Sequence, residues 1–185
     1  MHENKYNNFR RQTHRLPGFD YGSNGYYYIT ICTKDRLPYF GKIDNGKMQY
    51  AFIGKIVQEY WLNIPEHYPF VSLDAFIIMP NHIHGIIVIN QDKTTSLGNV
   101  ATHNCASLLI NAHYNKFCSQ SKNLSAIIRG YKSTVKRYAN KNNIEFNWQP
   151  RFYDHIINNT AELFRIREYI KNNPENWNKD RNNKY

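Results

Sequence analysis

No stretch of eighteen apolar residues occurs in this chain, which excludes a membrane-spanning helix of the usual length. The opening residues, Met-His-Glu-Asn-Lys-Tyr-Asn-Asn, lack the charged and apolar regions of a secretory leader. Cysteine is scarce. The three present, Cys32, Cys105 and Cys118, are odd in number and have no metal-site spacing. That argues against a disulfide framework and fits a reducing cytoplasm. Acid is also short: 14 Asp and Glu face 24 Lys and Arg, for a formal charge of +10. Such a balance implies a polyanionic partner. Aromatics, by contrast, are plentiful, with 15 Tyr, 10 Phe and 3 Trp. Basic charge with many rings suits single-stranded nucleic acid, where cations meet phosphates and rings stack on bases. The same composition also suits a basic protein whose rings are simply core.

At 185 residues with 41% hydrophobic content, the chain has enough apolar surface for one domain, with an arm and an insertion. Residues 1–25 read as a basic arm bearing Arg10, Arg11 and Arg15 and ending at Gly22-Ser23-Asn24-Gly25. Residues 26–33 have strand composition. Asp44-Asn45-Gly46-Lys47 marks a hairpin turn. Ile53, Ile56, Val57 and Tyr60 recur at helical spacing, and Pro65 follows. Residues 71–79 and 82–89 read as paired strands. Residues 90–122 show weak periodicity and read as a loop or insertion. Leu124, Ile127, Ile128, Tyr131, Val135 and Tyr138 form the stripe of an amphipathic helix whose other faces carry Arg129, Lys132, Lys136 and Arg137. A short strand over 152–157 precedes a helix started by Asn159 and Glu162, with Leu163, Ile166 and Ile170 inward. Residues 178–185 read as a polar, frayed tail. The order is strand, helix, strand, strand, helix, strand, helix. Its first six elements fit an α+β, ferredoxin-like split βαβ sheet, with the first and third main strands central and one sheet face open to a ligand.

The chemistry concentrates in two places. His82 and His84 lie two apart on a strand and share a face, so both imidazoles can reach one divalent ion. Two buried imidazoles without partners would be costly. A structural pair bonded to backbone is the alternative on this motif alone. Tyr169 and Asn173 are one helical turn apart. Tyr169 falls at the margin of the apolar stripe, and Asn173 offers a hard carbonyl oxygen suited to Mg²⁺ or Mn²⁺.

Taken in order, Arg15-Leu16-Pro17-Gly18-Phe19-Asp20-Tyr21 with Gly25-Tyr26-Tyr27-Tyr28-Ile29-Thr30-Ile31-Cys32-Thr33, then Met79-Pro80-Asn81-His82-Ile83-His84-Gly85, then Ile127-Ile128-Arg129-Gly130-Tyr131-Lys132-Ser133, and finally Trp148-Gln149-Pro150-Arg151-Phe152-Tyr153-Asp154-His155-Ile156-Ile157 with Tyr169-Ile170-Lys171-Asn172-Asn173-Pro174 resemble the single-tyrosine HUH transposases. The resemblance is to the branch of REP-associated tyrosine transposases. It implies one catalytic domain over 26–177, with a tyrosine-bearing C-terminal helix. It implies a divalent metal, Mg²⁺ or Mn²⁺, on His82, His84 and Asn173, and Tyr169 as the nucleophile. His155 is a candidate accessory residue, or equally the anchor of a backbone turn. The implied activity is nicking and rejoining of hairpin-flanked single-stranded DNA through a 5′-phosphotyrosine, in the nucleoid, with a homodimer among the family's arrangements. Arg10, Arg11 and Arg15 on the arm, and Arg129, Lys132 and Lys136 on the middle helix, are the candidate DNA contacts; a solvated face is the alternative for the helix residues. Two rivals remain at this level. One is a relative that binds DNA hairpins without cutting. The other is an RNA-binding module that stacks bases on Tyr26 and Tyr28.

Overall fold

The computed structural model describes residues 18–92 and 122–183. Arg10, Arg11, Arg15, Cys105, Cys118 and most of the 90–122 insertion lie outside the described residues. The chain runs β1 (Gly25–Cys32), a 3-10 turn (Lys34–Arg36), β2 (Gly41–Asp44), β3 (Lys47–Tyr50), α1 (Phe52–Leu62), α2 (Ile64–His67), β4 (Val71–Met79), β5 (His82–Ile89), α3 (Leu124–Lys141), β6 (Tyr153–Ile157), α4 (Thr160–Asn172) and a last 3-10 turn (Trp177–Lys179).

The main sheet is ordered β4-β5-β1-β6, and every neighbouring pair is antiparallel. This is the split βαβ arrangement, with β1 and β5 at the centre. β2 and β3 form a separate hairpin. Its turn places Asn45 at φ 48° and Gly46 at φ 71°, the left-handed pair that a two-residue hairpin favours.

Alternation along β1 sorts the two faces. Tyr27, Ile29 and Ile31 point to the larger core, beneath α1 and α3. There Trp61, Phe40 and Phe146 are fully buried, and the Tyr131 hydroxyl donates to the Val57 carbonyl at 2.9 Å. Truncating a ring such as Trp61 to alanine would cost about 3–5 kcal/mol. Gly85 makes this packing possible: a Cβ there would lie 2.5 Å from the Trp61 ring.

Tyr28, Thr30 and Cys32 face the other way. They pair in register with Ile86, His84 and His82 of β5. Tyr28 and Thr30 also pair with His155 and Tyr153 of β6. The open face expected on this side is in part covered. α4 lies across it, packing Leu163 and Ile170 on Tyr28, Ile86 and Ile157. The helix needs this support because its own apolar stripe is narrow. Its start is fixed by Asn159, whose side chain accepts from the Glu162 N–H at 2.8 Å, a cap worth about 1 kcal/mol. The tail, over its described residues 178–183, is not frayed. Asn182 is buried at 2% exposure, and residues 177–183 fold back against the start of β5.

Candidate active site

β5 opens at His82, directly after the tight turn at Pro80-Asn81. His82 and His84 are both fully buried, with ring centroids 4.4 Å apart. Each is held by neighbours at Nδ1, and for His82 the neighbour also determines which nitrogen carries the proton. Asn81 donates through Nδ2 to the carbonyls of Arg36 and Asn182, both at 2.9 Å. Those two bonds orient the amide, so its Oδ1 faces His82 Nδ1 at 2.8 Å. An amide oxygen can only accept. His82 therefore carries its proton on Nδ1 and presents a lone pair at Nε2. That Nε2 is buried and has no hydrogen-bond partner among the described residues.

His84 is held similarly. Its Nδ1 lies 2.8 Å from the Tyr28 hydroxyl and 2.9 Å from Thr30 Oγ1. Its Nε2 points to the Tyr169 hydroxyl at 3.3 Å. Burial presses the His82 pKa down to about 3, helped by the positive Arg36 and Arg181. Burial also drives His84 well below its ordinary value, with His82 adding to the effect. Both rings are thus neutral, the form in which imidazole ligates a metal.

The tail supplies a group with no counterpart in the sequence reading. Asp180 Oδ2 lies 3.8 Å from His82 Nε2, its side chain 2% exposed. That is too long for a hydrogen bond. Ligand atoms of His82, His84 and Asp180 all fall within 4.8 Å of one another. Asp180 Oδ2 and Asn173 Oδ1 are two further buried acceptors without a partner among the described residues. Leaving such groups unsatisfied is costly, and a divalent cation satisfies several at once. Two imidazole nitrogens with a carboxylate and a carbonyl oxygen form a donor set that fits such an ion. Trp177 stacks on His82 at 6.0 Å and shields the site.

Tyr169 reaches this cluster from α4 within the same chain. Its ring is 45% exposed, and the Asn173 side chain adjoins its phenol. Partial burial, then the charge of Asp180, raise its pKa above the ordinary tyrosine value. The hydroxyl therefore stays protonated near neutrality.

The remaining candidates sit elsewhere. His155 lies on the same sheet face, but its Nε2 is 2.8 Å from Glu162 Oε1. Glu162 Oε2 in turn accepts from the Asn158 N–H at 3.0 Å. His155 thus braces the start of α4 and stands apart from the His82–His84–Asp180 cluster. Arg129 is exposed on α3. Lys132 donates to the carbonyls of Gln149 and Arg151 at 2.7 and 3.0 Å, and burial lowers its pKa to about 8. Lys136 donates to the Phe146 carbonyl at 2.6 Å. Both lysines thus spend hydrogen bonds on the chain itself. Sequence reasoning missed Asp180 and the supporting roles of Asn81, Tyr28 and Thr30, which it carried only within the motif blocks or, for Tyr28, as a base-stacking ring; Asp180 left a trace as the one acid in a tail of Asn, Lys and Arg.

The site thus combines a four-stranded antiparallel sheet, a His-x-His strand and a helix-borne tyrosine. No protein-family model matches the chain. It is 38% identical over 171 residues to an uncharacterized protein of Haemophilus influenzae, covering 92% of this chain and 91% of that one. A second protein of that organism, named "Putative REP-associated tyrosine transposase", is 23% identical over 158 residues, covering 84% of this chain and 73% of that one. Among solved structures, a REP-associated tyrosine transposase bound to a REP hairpin superposes with a TM-score of 0.56 at 17% identity, covering 90% of this chain and 74% of that one; at that identity the likeness is one of fold. The chain is thus similar in fold to a REP-associated tyrosine transposase and distantly similar in sequence to a protein that bears that name.

Proposed function

We propose that this protein cleaves and rejoins single-stranded DNA beside a hairpin, with Tyr169 as the nucleophile. The observation that carries the reading is the Tyr169 hydroxyl 3.3 Å from His84 Nε2, at the mouth of a cluster of buried, unpartnered acceptors. The Tyr169 oxygen forms a bond to phosphorus, the bond from phosphorus to the 3′ oxygen breaks, and the proton lost by the phenol is balanced by one taken up at that oxygen. The products are a 5′-phosphotyrosine and a free 3′-OH. Attack of a 3′-OH on the linkage reverses the step and rejoins a strand, so no nucleotide cofactor is needed.

His82, His84, Asp180 and Asn173 would hold a divalent ion, Mg²⁺ or Mn²⁺. When bound, it supplies Lewis acidity to the scissile phosphate. Asn81 keeps the His82 lone pair turned inward, and Tyr28 with Thr30 fix the plane of His84. All of these groups lie in one chain, so the reading requires no residue from a second copy. The hairpin preference rests on the solved relative, which holds a REP hairpin. The charge of +10 and the exposed Arg129 suit a phosphate track.

The test is incubation of the protein with labelled single-stranded DNA bearing a hairpin, in Mg²⁺ or Mn²⁺, followed by denaturing electrophoresis. The wild type is expected to form a covalent adduct, and Tyr169→Phe to form none while still binding the hairpin. An adduct of equal yield in the variant would transfer the nucleophile to another residue, with Tyr153 next to test. No adduct from the wild type on any hairpin, with hairpin binding intact, would favour a non-cleaving binder.

A further inference from the structure

A cavity of about 260 Å³ opens beside the histidine site, lined by Arg36, Arg151, Arg181, Gln149, Phe152 and Tyr153 among others. Three of its walls are guanidinium-bearing, and none of the lining residues is a carboxylate. Thr30 belongs both to this cavity and to the site, since its hydroxyl contacts His84 Nδ1 at 2.9 Å. Asn182 is shared too, its carbonyl accepting from Asn81.

The backbone around the cavity is unusual. Arg36 has φ 61° and Arg151 φ 66°, left-handed values that side chains other than Gly, Asn and Asp rarely adopt. Strain of this kind gathers at functional sites. Arg151 is also supported from below, because the Lys132 ammonium holds the Gln149 and Arg151 carbonyls. Arg36 donates to the Asn182 side chain. The Arg181 guanidinium lies over the Tyr153 ring at 5.8 Å, and that ring is 40% exposed.

We infer that this cavity binds the nucleotide next to the scissile phosphate on the cleaved single strand. Guanidinium forks match phosphate oxygens two at a time. The half-exposed Tyr153 ring, with the Arg181 guanidinium over it, offers an apolar contact to a base without reading its identity. The inference rests on the cleavage reading above, since it places the strand by its distance from His84 and Tyr169. It gives these arginines a role distinct from nonspecific attraction: they set which phosphate reaches the nucleophile.

The experiment uses the full chain carrying Tyr169→Phe, in EDTA, and measures binding of a five-nucleotide single strand by calorimetry at several salt concentrations. Arg151→Gln and Arg181→Gln are each expected to weaken binding about tenfold and to reduce the logarithmic salt slope by about 0.7, the value for one lost single-strand phosphate contact. Lys55→Gln, an equal charge loss on the exposed face of α1, is expected to change neither beyond a small shift. Arg151→Gly suits the left-handed backbone, so a well-folded Arg151→Gly with the same loss assigns the effect to the guanidinium. Inorganic phosphate is titrated as the competing ligand. If it binds as tightly as the pentanucleotide, the cavity is an anion site and the nucleotide assignment is wrong. Equal affinity in all the arginine variants and Lys55→Gln overturns the inference outright. Adduct formation with Tyr169 intact separates this from the cleavage reading. A normal adduct yield and KM in Arg151→Gln would sink the cavity and leave the chemistry. Loss of pentanucleotide binding with no adduct from any strand would do the reverse.

Discussion

Asn81 shows how one side chain can set the chemistry of another. It is fully buried, and its amide bridges Arg36, Asn182 and His82. From sequence it reads only as a turn residue after Pro80. Its bonds to two backbone carbonyls fix the amide, the amide fixes the His82 proton on Nδ1, and the proton leaves Nε2 as a donor to a cation. Neighbours that orient a ligating histidine are typically worth about 10–100-fold in metal affinity. Asn81→Ala is therefore expected to weaken Mn²⁺ binding by about that factor in calorimetry. It should also lower stability by about 1–3 kcal/mol for each buried group left unpaired. Asn81→Asp restores an acceptor for His82 but loses the donors to both carbonyls, so it should recover part of the affinity and little of the stability. Unchanged Mn²⁺ affinity in Asn81→Ala would show that the tautomer is set by something else.

At the level of elements, α4 is the part that must be placed well, because it carries Tyr169. Its packing on the sheet is supplemented by a two-pronged contact: Arg167 donates through Nε and one terminal nitrogen to Asp74 at 2.8 and 2.6 Å. Asp74 sits where the β4–β5 register shifts, so the irregularity in the strand presents the carboxylate to the helix. The Arg167 hydrogen bond is the main cause that holds the Asp74 carboxyl below its usual range. Asp74→Asn is expected to lower the rate of adduct formation severalfold while hairpin affinity stays within a factor of about two, since the basic surface that dominates affinity is untouched. Equal rates in both proteins would mean that α4 is placed by its apolar stripe alone. On the opposite face of the sheet, Gly85→Ala forces a methyl against Trp61 and is expected to cost about 1–3 kcal/mol by overpacking, read as a lower urea midpoint. These elements were largely legible in the sequence. Alternation gave β1 and β5, the turn at Pro80-Asn81 gave their neighbour β4, and helical spacing gave α1, α3 and α4. His82 and His84 stand out in the sequence because strand alternation puts them on one face, while Tyr169 stands out through the resemblance carried by its closing block. Asp180 and Asn182 do not. They lie in an aperiodic tail; Asn182 meets Asn81 and Arg36 across separations of 101 and 146 residues, and Asp180 meets His82. No local pattern encodes such contacts.

The whole molecule combines a net charge of +10 with a buried, neutral pair of histidines, and the two respond to pH separately. Lysine and arginine keep their charge through the acid range, so attraction to DNA persists there. The histidines do not titrate freely. His82 has a folded pKa of about 3 against an ordinary value of about 6.5 in the unfolded chain, and His84 is displaced in the same direction. Between those values the unfolded chain binds protons that the folded one refuses. Stability is therefore full above about pH 6.5 and falls as pH drops toward 3, by up to about 1.4 kcal/mol per pH unit for each histidine. Carboxylates such as Asp74, held below their ordinary range, add to this loss only at lower pH. The interval from pH 6.5 to 5 thus isolates the histidine pair. Urea midpoints of the metal-free protein should decline across it, and His82→Gln should flatten the decline by about half, because one of two titrating groups is gone. Mn²⁺ should raise the midpoint at pH 7 and keep that effect at pH 5, because the folded imidazoles stay neutral across that interval and their lone pairs are not taken by protons. A midpoint independent of pH from 6.5 to 5 would mean that these imidazoles reach solvent in the folded protein, against both their burial and the ligand role drawn from it.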